Sequence, residues 1–92
     1  MSDSLFKIQQ IQATISDVLL KEWDPIGISG VPEAQDEYGG YVAEIYELVA
    51  HKASQAEIFA HLWRIETDYM GLAGNRPKTE SVAKRLFEME QA

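Results

Sequence analysis

Apolar residues recur at steps of three and four along most of this chain, which is the period of an amphipathic helix. The two-residue alternation of β-branched residues that marks a strand is absent. Glycines and prolines lie between the first and second apolar stripes and between the third and fourth. The sequence therefore predicts an all-α fold, a compact four-helix domain. Its helices are expected at about residues 4–22, 36–51, 55–70 and 79–90, with a long loop at 24–35.

The apolar stripes also predict the core. They comprise Leu5, Ile8, Ile11, Ile15, Val18 and Leu19, then Tyr38, Val42, Ile45 and Val49, then Ile58, Leu62, Ile65 and Tyr69, and finally Val82, Leu86 and Met89. Trp23 and Trp63 have the bulk that fills a small helical core and are expected there. We expect Trp23 to close the end of the first helix. Three apolar residues should then anchor the 24–35 loop: Ile26, Ile28 and Val31.

Local signals predict where helices begin and end. Pro25 should end the first helix, because the residue before a proline is kept out of the α region. The segment 54–57 reads Ser-Gln-Ala-Glu, a capping box that opens the third helix. Gly71 followed by Leu72 is typical of a left-handed helix stop. Two adjacent glycines, Gly39 and Gly40, fall in the first turns of the second helix and leave its start open.

Length and composition limit the class of protein. Ninety-two residues predict one domain spanning 1–92. There is no cysteine, which excludes disulfides and thiolate zinc sites. Residues 1–7 lack the basic start and apolar run of a signal peptide, and no apolar run approaches the ~20 residues of a membrane span. The expected location is therefore cytoplasmic.

The negative charge is concentrated in one third of the chain. The net charge is −7, and residues 24–51 contain six acids without a lysine or arginine. Such a balance argues against nucleic-acid binding, which needs a basic face, and against anionic membranes. It would attract a basic partner. The alternative is that the charge only keeps the protein soluble.

Patterns for catalysis and metal binding are weak. His51 and His61 lie ten residues apart on different predicted helices, and His61 beside the third stripe reads as a half-buried structural histidine. Asp36 and Glu37 with Glu33 offer oxygen ligands, yet the spacing of a calcium loop is missing. No nucleophile motif or phosphate-binding loop is present. We therefore expect no cofactor, no metal and no enzymatic activity.

The leading hypothesis is a cytosolic protein-interaction domain that uses an acidic face against a basic protein partner, as a monomer or a homodimer. An inhibitor or immunity-type protein is its sharpest form. Tyrosine is a frequent interface anchor, and for Tyr41, off the main stripe, core and surface are equally open. The candidate partner-binding residues are Glu33, Asp36, Glu37, Tyr41, Glu44 and Glu47. The alternative is a small-ligand or metal-binding module centred on Trp23, Asp24 and the segment Asp36-Glu37-Tyr38.

One segment carries a family resemblance. It reads Glu-Trp-Asp-Pro-Ile at 22–26, then has Pro32, Asp-Glu-Tyr at 36–38, and Tyr-Val-x-Glu-Ile at 41–45. This W-D-P and D-E-Y pattern resembles a family of small bacterial all-helical proteins, a domain of unknown function. The resemblance implies a compact helical bundle and implies no activity. The chain departs from the pattern at Gly39 and Gly40, where helix-forming residues are expected.

Overall fold

Four α-helices build the part of the chain that the computed structural model describes, residues 2–28, 30–34 and 37–90. The helices are α1 (Ser2–Val18), α2 (Gly39–Ala50), α3 (Gln55–Arg64) and α4 (Arg76–Glu90). Two of them are extended by a π-helical turn, α1 by Leu19–Trp23 and α3 by Ile65–Tyr69. A 3₁₀ turn at Pro32–Ala34 interrupts the predicted loop. These described residues contain no strand, and the predicted all-α, four-helix fold is confirmed.

The core lies where the helices meet. The most extensive packing joins α3 to α4, while α1 packs mainly on α2 and its π-helical end packs on α4. The buried apolar residues are Ile15, Val18, Leu19, Leu20, Trp23, Tyr38, Ile45, Val49, Ala53, Ile58, Leu62, Ile65, Val82, Ala83 and Leu86. Trp23 is 1% exposed, as predicted. Trp63 is only half-buried, and so the prediction that it lies in the core is only partly correct.

A π-helical turn changes which residues of α3 face the core. The Met70 N–H donates to the Ile65 carbonyl at 2.9 Å, a five-residue step that is wider than an α turn. Ile65 and Glu66, at the start of this turn, are both buried. Tyr69, predicted to continue the third stripe, is instead 73% exposed. That prediction was wrong because it assumed an unbroken period of 3.6 residues.

The helix starts differ from those predicted. α1 begins at Ser2 rather than residue 4, and α2 begins at Gly39 rather than 36. α4 begins at Arg76, three residues before the predicted start at 79. The Asn75 side-chain oxygen accepts from the Lys78 N–H at 3.2 Å and caps this helix. Pro77 then lies in the first turn, where its missing N–H would have had no partner in the helix.

The 24–35 loop is not anchored as predicted. Ile26 is 43% exposed and Val31 is 42% exposed, which corrects their assignment as apolar anchors. Ile28 alone of the three packs against the core. Polar contacts hold the loop instead, because the backbone groups next to Asp24 need hydrogen-bond partners that apolar side chains cannot supply.

The predicted capping box is present at the start of α3. The Ser54 hydroxyl accepts from the Glu57 N–H and the Glu57 carboxylate accepts from the Ser54 N–H, both at 3.1 Å. We expect Ser54→Ala to lower the free energy of unfolding by about 1 kcal/mol, because a helix N–H loses its acceptor. Urea denaturation followed by circular dichroism would measure this. An unchanged transition midpoint would contradict it.

Acid should weaken the same cap. The hydrogen bonds from Ser54 lower the pKa of the Glu57 carboxyl below its usual value of 4.5. A carboxyl with a lowered folded-state pKa stabilises the fold above its unfolded pKa, and this contribution is lost as the pH falls through the folded pKa. The difference in Tm between the wild type and Glu57→Ala should therefore shrink below about pH 4.5. A pH-independent difference would contradict the assignment.

Candidate functional site

The predicted acidic residues lie on and before α2. Glu33 is in the 3₁₀ turn, Glu37 is in the turn before the helix, and Glu44 and Glu47 are on α2 itself. All four are exposed, and together they are called the acidic surface below. Asp36, the fifth predicted acid, lies outside the described residues. Burying so many carboxylates without cationic partners would be strongly unfavourable, which is the physical reason for their exposure.

The amphipathic pattern of α2 sets the direction of the two helical carboxylates. Ile45 and Val49 on one face are buried in the core. Glu44 and Glu47 are three residues apart on the opposite side, with side chains 63% and 66% exposed. Tyr41, three residues before Glu44, is half-buried and packs against the core. It therefore combines a supporting role in the core with an accessible part next to the acidic surface.

Histidines contact both helical carboxylates. Glu44 Oε2 lies 3.0 Å from His61 Nε2 of α3, in an alignment that does not form a regular hydrogen bond. Glu47 Oε2 lies 3.1 Å from His51 Nε2, one helical turn further on. His61 is half-buried, as predicted for a structural histidine. Because a histidine offsets a carboxylate's charge only when it is protonated, these contacts do not permanently neutralise the surface.

Two arginines of α4 pair with acids outside the acidic surface. Arg76 Nε lies 2.9 Å from Glu80 Oε1 within α4. Arg85 Nη2 lies 3.6 Å from Glu22 Oε2, at the end of α1. Both pairs are solvent-exposed and contribute little to stability. They leave the charge of the acidic surface unchanged.

The groups of the alternative ligand site hold the loop in place. The Tyr38 hydroxyl donates to Asp24 Oδ1 at 2.8 Å and accepts from the Ile26 N–H at 3.2 Å. The Ile28 N–H donates to the same Asp24 oxygen at 2.7 Å. Asp24 has a left-handed backbone with φ of 36°, which lets the chain leave the helix sharply. Burial, assisted by Asp24, raises the pKa of Tyr38, and so the hydroxyl remains a donor at neutral pH.

Sequence reasoning missed a buried polar cluster beneath this loop. Glu66 is 3% exposed and Thr79 is fully buried. Trp23 Nε1 donates towards Glu66 Oε1 at 3.4 Å and Thr79 Oγ1 at 3.3 Å. The Thr79 hydroxyl also donates to Glu66 Oε1, and the Asn75 N–H donates to Glu66 Oε2 at 2.8 Å. The buried carboxylate is thus fully engaged by its own chain.

A signal for this cluster exists in the sequence. Glu66 follows Leu62 by four residues, and Thr79 precedes Val82 by three. Each polar residue therefore continues an apolar stripe at helical spacing, which places it on the buried face of its helix. A polar residue at such a position needs a hydrogen-bond partner when it is buried, and these two partner each other.

The other surface features that the structure describes have fewer groups that could bind a ligand. A small open groove of about 280 Å³ lies between α3 and α4, lined by Gln55, Ala56, Phe59, Arg76, Glu80 and Ala83. The Arg76 guanidinium lies 5.1 Å from the Phe59 ring centre and already contacts Glu80. The groove is at the lower limit of ligand-pocket size. Among the described residues, no three or more His, Asp or Glu side chains form a metal-binding group.

Comparisons with protein-family models, with curated proteins and with solved structures each give no match. The resemblance of the 22–45 segment to a bacterial helical family therefore stays a prediction. Within the described part of the chain, no helix is long and apolar enough to cross a membrane.

Proposed function

We propose that this chain is a non-enzymatic, cytosolic protein-interaction domain whose acidic surface binds a basic surface on a partner protein. One observation carries this proposal: Glu33, Glu37, Glu44 and Glu47 are all exposed, within a stretch that contains no lysine or arginine from residue 22 to residue 51. Two arginines that were available to fold across this surface contact Glu22 and Glu80 instead.

The energetics favour an external cation. Carboxylates that lie close together, as Glu44 and Glu47 do on α2, repel each other, and lysines or arginines of a partner would relieve this repulsion. Complementary charge also steers two proteins into contact and raises the association rate at low salt. The exposed part of Tyr41 next to Glu44 supplies an aromatic edge for the same contact.

The most specific version of this proposal is a small inhibitor or immunity-type protein. Such a protein would cover the basic active surface of another protein. Two residues of the ligand-binding alternative are held by contacts within the chain. Trp23 is buried and hydrogen-bonded to Glu66 and Thr79, and Tyr38 is buried and hydrogen-bonded to Asp24. Groups that are already engaged inside the protein would have to break those bonds to hold a ligand.

The test is the double substitution Glu44→Gln with Glu47→Gln. The wild-type chain and the variant would each be used as bait against a cell lysate, and the captured protein would then be purified for kinetic measurements. We expect the variant to associate several-fold more slowly and with a flatter salt dependence, because two steering charges are lost. Its Tm should be unchanged or slightly higher, since repulsion is reduced.

A matched control carries Asp68→Asn with Glu88→Gln, two exposed acids outside the acidic surface. This control changes the net charge by the same amount and should bind as the wild type does. Equal weakening by both pairs would mean that only net charge matters. Binding that both variants leave intact would reject the acidic surface as the binding site.

A further inference from the structure

The first helix, α1, is longer than α2, the helix that it packs against. With its π-helical turn, α1 runs from Ser2 to Trp23, whereas α2 runs only from Gly39 to Ala50. At 1.5 Å per residue these lengths are about 33 Å and about 18 Å. The Trp23 and Tyr38 rings lie 5.8 Å apart, and so α2 starts beside the carboxyl end of α1. The shorter helix cannot cover the amino-terminal turns of α1.

The exposure of successive side chains along α1 shows how far the rest of the protein covers this helix. Ile15 is fully buried and Ile11 still packs against the core. Six residues before Ile11 in the same stripe, Leu5 is 57% exposed, and Phe6 beside it is 59% exposed. These amino-terminal turns, residues 5–10, are called the α1 overhang below. The predicted core position of Leu5 was wrong, because the stripe continues beyond the neighbouring helix.

The chemistry of the α1 overhang is unlike the rest of the surface. Lys7 is the only charged residue from 4 to 16, in a chain with a net charge of −7. The other polar residues of the α1 overhang are amides, Gln9 and Gln10. An acidic or a basic partner would find almost no opposite charge here. The partner must therefore present an apolar, nearly uncharged helix face of its own.

A second copy of this chain meets that requirement. Two-fold symmetry places the same patch on both sides of an interface, and so each residue must tolerate itself or a close neighbour. Leucine and phenylalanine do so by apolar burial, and glutamine does so because its amide both donates and accepts hydrogen bonds. Elsewhere two copies repel through their acidic surfaces, whereas the α1 overhang is charge-poor.

We propose that two copies associate through their α1 overhangs, crossing as an antiparallel helix pair centred on Leu5, Phe6 and Ile8. The patch covers about two turns of one helix, well below the ~800 Å² per partner of a standard interface. The dimer is therefore reversible, with a Kd roughly in the micromolar range. It uses none of the residues of the acidic surface and does not depend on the function proposed above.

The test is sedimentation equilibrium of the full chain from about 5 to about 500 µM, which spans the expected Kd. The average mass of the wild type should rise from 10.4 kDa towards twice that value. Leu5→Ser with Phe6→Ser should keep the mass at 10.4 kDa throughout, with an unchanged helical circular dichroism signal. The matched control, Ile26→Ser with Tyr69→Ser, alters apolar residues that are exposed elsewhere and should dimerise normally.

A crosslink locates the contact. The chain has no cysteine, and so Gln9→Cys introduces a single thiol on the α1 overhang. Under oxidation this variant should form a disulfide-linked dimer, and Lys84→Cys on α4 should not. A wild type that stays monomeric, a dimer that survives the Leu5 and Phe6 substitutions, or equal crosslinking at both positions would overturn the proposal.

Salt separates this result from the proposed function. Association through an apolar patch should persist or strengthen as salt screens the repulsion between two acidic chains. Binding of a basic partner to the acidic surface should weaken over the same range. If added salt abolished self-association, the α1 overhang would be rejected as its basis. That result would not affect the proposal that the acidic surface binds a basic partner.

Discussion

Trp23→Ala is expected to lower the free energy of unfolding by about 3–5 kcal/mol, the usual range for truncating a buried aromatic residue. The side chain is 1% exposed and lies at the point where the end of α1 meets α2 and α4. Its removal leaves a cavity next to Tyr38 and takes away an N–H that points at Glu66 and Thr79. Urea denaturation followed by circular dichroism measures the loss.

Two further substitutions divide this effect into its parts. Trp23→Phe keeps most of the apolar volume and loses the indole N–H, and so its effect should be clearly smaller. Tyr69→Ala removes an aromatic residue that is 73% exposed and should change stability by less than about 0.5 kcal/mol. A Trp23→Ala protein as stable as the wild type would show that the loop and helix end do not depend on this side chain.

Glu66→Ala is expected to lower the free energy of unfolding by about 3 kcal/mol, because the buried Thr79 hydroxyl and Trp23 N–H lose their acceptor. The Asn75 N–H and the Thr79 hydroxyl both donate to this carboxylate. The first of these bonds holds the segment that leads into α4, and the second joins α4 to the end of α3. Their loss should therefore loosen the connection between the two most extensively packed helices.

The matched controls for Glu66 lie close to it in the chain. Asp68→Ala removes an exposed acid two residues away and should have little effect on stability. Glu66→Gln keeps an acceptor oxygen and should be intermediate. Chemical denaturation of the three variants at neutral pH compares them directly. A Glu66→Ala protein that unfolds at the same urea concentration as Asp68→Ala would contradict the role given to the buried cluster.

Much of the helical layout follows from residues that are near each other in the chain. The capping box at Ser54 and Glu57 needs only a spacing of three residues, and both of its hydrogen bonds are present. Gly71 adopts a φ of +68°, and the Leu72 N–H closes the turn on the Glu66 carbonyl. Such signals are local, and they can be predicted without knowledge of the fold.

The candidate site was predictable to a different extent. The charge of the stretch from residue 24 to residue 51 is a property of the sequence, and exposure of Glu44 and Glu47 follows from the amphipathic pattern of α2. Their contacts with His61 and His51 differ in origin. The His51 contact is one turn along α2, whereas the His61 contact depends on how α2 and α3 pack. The sequence has no pattern that pairs Glu44 with His61.

The sequence by itself determined the all-α class, the identity of the four helices and the position of the acidic stretch, because hydrophobic periodicity, capping and charge act over a few residues. Only the tertiary structure decided which part of each stripe is buried. The π-helical turn after α3 exposes Tyr69, and the short α2 leaves Leu5 uncovered. Burial depends on where one helix ends relative to another, and no single stretch of the sequence determines that relative position.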